Sequence, residues 1–246
     1  MTVSEMSLRN VFMLAEERLR GDSNDEVMEA IANDARRASY EGSLNRIIHL
    51  ALSEVFEDCY IYSAGQPREL HSIDICVVQN NDVVAAIESK GTVANSHNSD
   101  IHRSAIDLHG IRTKLWHDKR SQNSIQNDIK DISQKIPQSM SSPRFEVFVP
   151  IIYELYREGG NPSVWFSERK PWVTLPKFRD LRVRLKDDLE DWFYSQDPQI
   201  NLLHATEFVE LRGANEYWSK TSKAKYPQFT SLKAYVSFYA FTRFVE

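Results

Sequence analysis

The sequence predicts an α/β or α+β layer fold, with a central mixed sheet of about four or more strands flanked by helices. Hydrophobic periodicity gives the order helix, strand, strand, strand, helix, strand, after N-terminal helices and before a C-terminal extension. The 246 residues are 41% hydrophobic and 26% charged, which is enough to bury a sizeable core. We expect one domain over 1–246, comprising a helical preface (1–40), a core (41–157) and an extension (158–246).

Amphipathic patterns and stop signals place the helices. The first ends at Gly21, and the third carries an apolar stripe that includes Leu44 and Ile48. The predicted helices cover 6–20, 25–38, 41–57, most of 100–136, and 177–195.

Short apolar runs bounded by polar turns predict the strands. They cover 59–63, 71–79, 82–90 and 145–153, and the chain beyond 200 is ambiguous between strand and helix. Residues 79–82 read as a hairpin turn, and the apolar run 145–153 is typical of a central strand buried on both faces.

Composition narrows the class of protein. The net charge of −5 and the pI near 5.9 count against a general nucleic-acid binder without excluding one. No apolar run approaches the roughly 18 residues of a membrane span, and the N-terminus lacks a secretory apolar core. Cys59 and Cys76 are the two cysteines, so we expect a soluble cytoplasmic protein without a disulfide framework.

Three charged residues interrupt two apolar segments where a strand core favours Val or Ile. Asp74 lies in the first segment, and Glu88 and Lys90 lie in the second. Such groups are costly to bury unless they are paired, solvated or bound to a metal. Strand alternation puts Asp74 on one face of its segment, and Val84, Ala86, Glu88 and Lys90 on one face of the next.

This arrangement predicts a site for one divalent cation. Mg²⁺ prefers oxygen ligands and needs only one or two carboxylates, so Asp74 and Glu88 are the expected ligands and the Ser89 carbonyl a plausible third. Such a cation activates water and screens phosphate charge, and Mn²⁺ can replace it. Lys90 is expected to orient the attacking water or stabilise the transition state of phosphodiester cleavage.

Ile73-Asp74 followed by Glu88-Ser89-Lys90 resembles the PD-(D/E)xK nuclease superfamily, over roughly residues 41–155. The resemblance implies a restriction-endonuclease-like core, with Asp74, Glu88 and Lys90 as the family's two acids and lysine. Ile73 stands where the family has a proline. The implied activity is Mg²⁺-dependent hydrolysis of double-stranded DNA by a homodimer.

Members of this superfamily often add an acid from the first core helix. Glu41, Glu54 and Glu57 are the candidates, and Glu41 is preferred because it extends the apolar stripe of that helix one turn backward. A plain acid at a helix N-terminus, favoured by the macrodipole, explains Glu41 nearly as well.

Acid-x-Lys triplets occur three times in the chain, at residues 88–90, 128–130 and 168–170. Only the first follows an apolar strand and has an acid in the preceding strand, whereas the copy at Asp128 lies in a polar, helical stretch. The alternative explanation of the first triplet is a salt-bridged hairpin edge with one solvated face.

The preferred role is therefore a type II restriction endonuclease. The alternatives are a sequence-non-specific repair or defence nuclease, and a nuclease-fold binding or scaffold protein without turnover, which the acidic charge favours. The basic segments 112–120 and 217–226 are candidate DNA contacts, or else a solvated helix face and core aromatics respectively.

Overall fold

The computed structural model describes residues 3–21, 41–63, 68–70, 72–94, 124–158, 175–206, 208–213, 216 and 231–246. Within these residues the protein is α+β, with four helices around a seven-stranded mixed sheet, which confirms the predicted mixed sheet flanked by helices. The helices are α1 Glu5–Arg20, α2 Gly42–Val55, α3 Ile125–Asp131 and α4 Leu175–Gln196. The strands are β1 Tyr60–Ser63, β2 Ile75–Gln79, β3 Asp82–Ala94, β4 Ser141–Glu158, β5 Asn201–Ala205, β6 Val209–Glu210 and β7 Ser231–Val245.

The sheet has the order β1-β2-β3-β4-β7-β5, and β6 also pairs with β7. Strands β1, β2 and β3 form an antiparallel meander, and β4 runs parallel to β3. A parallel neighbour needs a crossover connection, and α3 lies on that connection. Strand β7, from the end of the chain, pairs antiparallel with β4 from Arg144 to Glu158, so the C-terminal segment is part of the central sheet.

The turn between β2 and β3 is a tight hairpin. Asn80 and Asn81 have positive φ values of 52° and 72°, a conformation that asparagine tolerates better than most residues. A register shift follows, because Val77 pairs with Ala85 while Val78 pairs with Val83. The predicted face of β3 was therefore wrong at its first position: Val83, not Val84, packs on the same side as Ala86.

Helices cover the two faces of the sheet. On one face α1 and α2 pack on alternate residues of β2, β3 and β4. Helix α2 can do so because its buried residues recur at helical spacing and form one apolar stripe. These positions are Leu44, Ile47, Ile48, Ala51 and Leu52. On the opposite face α3, α4 and the 3₁₀ turn after α3 pack on Cys76, Ala86 and Phe148. Both faces of β4 are thus buried, as its apolar sequence predicts.

Several boundaries differ from the sequence-based expectations. Strand β2 begins at Ile75, so Asp74 lies just before it rather than inside it. Strands β3 and β4 extend further than expected, because each gains backbone hydrogen bonds from a long neighbour. The predicted helix over 25–38 and the chain over 95–123 lie outside the described residues. Among the described helices, none is long and apolar enough to cross a membrane.

Candidate functional site

Asp74 lies immediately before β2, opposite Glu88 of β3. The antiparallel register pairs Ile75 with Ile87. The residue before Ile75 and the residue after Ile87 are therefore opposite each other, and these are Asp74 and Glu88. The backbone N–H and the hydroxyl of Ser89 both donate to Oδ2 of Asp74, each at 2.8 Å. The Asp74 carboxylate is therefore held in place by two hydrogen bonds from within the protein.

Glu88 is buried, with 2% of its surface exposed. Lys135, in the 3₁₀ turn after α3, donates from Nζ to its Oε1 at 2.6 Å. Burial, together with the nearby carboxylates of Asp128 and Asp74, raises the pKa of Glu88 to about 8, against the opposing effect of Lys135. Glu88 is thus a carboxylate whose ionised form needs more positive charge than Lys135 supplies.

The side chain of Lys90 lies on the same side of β3 as that of Glu88, but its ion-pair partner is Asp128 of α3. Nζ of Lys90 is 3.4 Å from Oδ2 of Asp128, and both side chains are largely buried. Burial acts to lower the pKa of Lys90, but Asp128, Glu41, Asp74 and Glu88 together outweigh it and raise the pKa. Lys90 therefore stays charged at the centre of an acidic cluster.

Glu41 reaches the same cluster from the other side of the sheet. It occupies the N-cap position of α2 without capping the helix by its side chain, and Oε1 accepts a hydrogen bond from the Gly91 N–H at 3.1 Å. Burial raises the pKa of Glu41, although Lys90 and the Gly91 N–H act against it. Of the other two candidate acids, Glu54 is exposed and pairs with Arg18, and Glu57 is exposed.

The site so assembled carries excess negative charge. Four carboxylates (Glu41, Asp74, Glu88 and Asp128) surround two ammonium groups (Lys90 and Lys135), which leaves two negative charges when all are ionised. Oδ2 of Asp128 is buried and accepts no hydrogen bond within the described part of the chain, and the Nζ of Lys90 lies 3.4 Å from it. Both observations suit the donor chemistry of a hard divalent cation.

The side chains alone do not yet form a cation cage. Across the described residues, no group of three or more His, Cys, Asp or Glu side chains converges in metal-binding geometry. A Mg²⁺ site made from two carboxylates, a main-chain carbonyl and waters needs no such group, so the donor set fits a cation with few protein ligands.

A second buried ionic network lies beside the first, and the sequence did not predict it. Glu146 of β4 has no exposed surface and bonds Arg144 through Oε1 and Arg243 of β7 through Oε2, at 3.0 and 2.7 Å. Arg243 also pairs with Asp197 at 2.7 Å. Both carboxylate oxygens of Glu146 are thus satisfied by guanidinium donors, which is what a buried charge requires.

This second network fixes the segment that supplies Asp128 and Lys135. Arg243 donates to the Ile129 carbonyl of α3 at 2.6 Å, and Arg144 donates to the Ser133 hydroxyl at 2.9 Å. Ser133 in turn donates to Glu146. Helix α3 and its 3₁₀ turn are thereby anchored to β4 and β7 at several points, and Lys135 is the last residue of that turn.

Sequence reasoning placed Asp128 in a helix but missed its position in the site. Ile125, Asp128, Ile129 and Ile132 follow the helical spacing i, i+3, i+4, i+7, so the aspartate occupies an apolar position of a buried stripe. That pattern was the available signal. The basic segments 112–120 and 217–226 lie outside the described residues.

Comparisons with protein-family models, with curated proteins and with solved structures find no match to this chain.

Proposed function

We propose that the protein is a Mg²⁺-dependent DNA endonuclease built on a restriction-endonuclease-like core. The observation that carries the proposal is the buried acidic cluster, in which Asp74 and Glu88 face each other across neighbouring strands with Lys90 on the side of Glu88. The order α2, β1–β3, α3, β4, with β4 parallel to β3, agrees with the core that the family resemblance implies.

In this proposal the residues have distinct roles. Asp74 and Glu88 hold the cation, with the Ser89 carbonyl as a third donor, and Ser89 also fixes Asp74 through its N–H and hydroxyl. The cation supplies charge stabilisation and a more acidic water. Lys90 orients that water or stabilises the charge that develops on phosphate, and Glu41 is an accessory acid.

A nuclease-fold binding or scaffold protein without turnover is the second candidate. One observation favours it: Oε1 of Glu88 already accepts from Lys135 at 2.6 Å, which is how a buried carboxylate is satisfied without a metal. Calorimetric titration with Mn²⁺ separates the two, because a metal-dependent site binds the ion and loses that binding in Asp74→Ala.

Cleavage of supercoiled plasmid DNA with Mg²⁺ or Mn²⁺ tests the nuclease. We expect Glu88→Ala and Lys90→Ala each to lower the rate by about 10²-fold or more, the usual scale for removing a transition-state contact. Glu54→Ala is the matched control, because that carboxylate is exposed on α2. Cleavage that survives both site substitutions contradicts the site assignment.

The product pattern then separates the nuclease roles. Discrete fragments from a defined plasmid indicate the type II restriction role, whereas a smear indicates a sequence-non-specific repair or defence nuclease. Reading a palindrome favours a two-fold homodimer, so light scattering with and without DNA tests that part of the proposal. A cytoplasmic location belongs to the same proposal.

A further inference from the structure

Lys135 contacts both acids on its side of the cluster. Its Nζ lies 2.6 Å from Oε1 of Glu88 and 3.0 Å from Oδ1 of Asp128, whereas Lys90 lies near the other oxygen of Asp128. The side chain of Lys135 is 22% exposed, so it reaches the site from the rim while Glu88 is almost fully enclosed. Lys135 is therefore the more exposed of the two ammonium groups, since the side chain of Lys90 is 16% exposed.

We propose that Lys135 competes with the divalent cation for Glu88 and thereby sets the metal affinity of the site. This inference rests on the proposed metal-dependent function. A divalent ion on the Glu88 carboxylate would lie within a few ångströms of the ammonium, and the repulsion between like charges at that range is large in a buried site.

Asp128 gives the displaced ammonium a second position. Oδ1 of Asp128 already accepts a hydrogen bond from Lys135. A small rotation of the flexible four-carbon side chain can therefore break the contact with Glu88 while the ion pair with Asp128 persists. The anchoring of α3 by Arg243 keeps Asp128 in place during that movement. The exchange then costs one contact of Lys135 rather than the unfolding of the turn.

Mn²⁺ titration by calorimetry and by electron paramagnetic resonance tests the competition. We expect Lys135→Met to bind Mn²⁺ at least about tenfold more tightly than the wild type, because both the competitor and its repulsion are removed. Lys135→Arg keeps the charge and is expected to bind no more tightly than the wild type. Lys130→Met, on the exposed side of α3, is the matched control and is expected to leave the affinity unchanged.

A second measurement follows the displacement itself. Acetylation of Lys135 by acetic anhydride, read by mass spectrometry, is expected to rise about threefold or more at saturating Mg²⁺. The reagent attacks the neutral amine, and losing the contact with Glu88 makes the ammonium easier to deprotonate and to reach. Lys130 serves as the internal reference in the same sample. This readout does not depend on any variant being folded.

The outcomes separate the two proposals. If the wild type binds Mn²⁺, and either Lys135→Met binds it no more tightly or Mg²⁺ leaves Lys135 acetylation unchanged, the competition is overturned and the metal site stands. If neither the wild type nor Lys135→Met binds Mn²⁺, both proposals are overturned. Lys135→Gln is the second variant for the case in which Lys135→Met does not fold.

Discussion

Substitution of Glu88 by Gln provides a direct test of the electrostatics of the cluster. The pKa of Glu88 is raised from an ordinary 4.5 to about 8, mainly by burial and then by Asp128 and Asp74. Between those two values the folded protein holds a proton that the unfolded chain has released. The free energy of unfolding therefore falls as pH rises through this window. The stabilising contribution of the proton on Glu88 is fully present only below about pH 4.5.

The size of this effect follows from the shift. Each pKa unit corresponds to about 1.4 kcal/mol, so the change from 4.5 to about 8 sets a limit of roughly 5 kcal/mol. Coupled titration within the cluster spreads the proton over several groups, so we expect about 2–5 kcal/mol. Gln cannot ionise, so between pH 5 and pH 8.5 the variant should gain about this much stability relative to the wild type.

Urea unfolding at a series of pH values, in buffer with EDTA, measures the difference. Glu88→Gln carries an offset because an amide replaces the carboxyl group that bonds Lys135, but only the pH-dependent part of the difference reports on the ionisation of Glu88. Glu54→Gln is the matched control, since its carboxylate is exposed. Parallel stability curves for Glu88→Gln and the wild type across this window would refute the reasoning.

Three further predictions concern stability. Asp128→Asn should lower the free energy of unfolding in urea by about 2–4 kcal/mol, because it leaves two partly buried ammonium groups without their shared partner. Asp131→Asn, at an exposed position, should stay within about 0.5 kcal/mol of the wild type. Arg243→Met should cost about 3–5 kcal/mol, since it leaves the buried carboxylate of β4 with one cationic partner, and a loss under 1 kcal/mol would contradict the network. Ile48→Ala, at a fully buried position, should lower the unfolding free energy by about 2–5 kcal/mol, whereas Leu50→Ala, 42% exposed on the same helix, should cost far less.

Local patterns in the sequence were sufficient for much of the fold. The apolar stripe of α2 and the apolar run of β4 each lie within one element, so the residue pattern indicates which side chains are buried. The turn at Asn80 and Asn81 is equally local, because it depends on the conformations that these two residues tolerate. The register shift at Val83 was not predictable in this way, because a bulge depends on pairing with two neighbouring strands.

The sequence by itself determined that Glu88 and Lys90 share one face of β3, and that Asp74 belongs to the preceding segment, because strand alternation is a local property. Only the tertiary structure decided what those charges meet. Lys135 pairs with Glu88 at a sequence separation of 47 residues, and Arg243 pairs with Glu146 at a separation of 97. A buried charge requires partners of opposite sign, but the local sequence does not specify which element provides them. The partners here are fixed by the way α3 and β7 pack on the sheet.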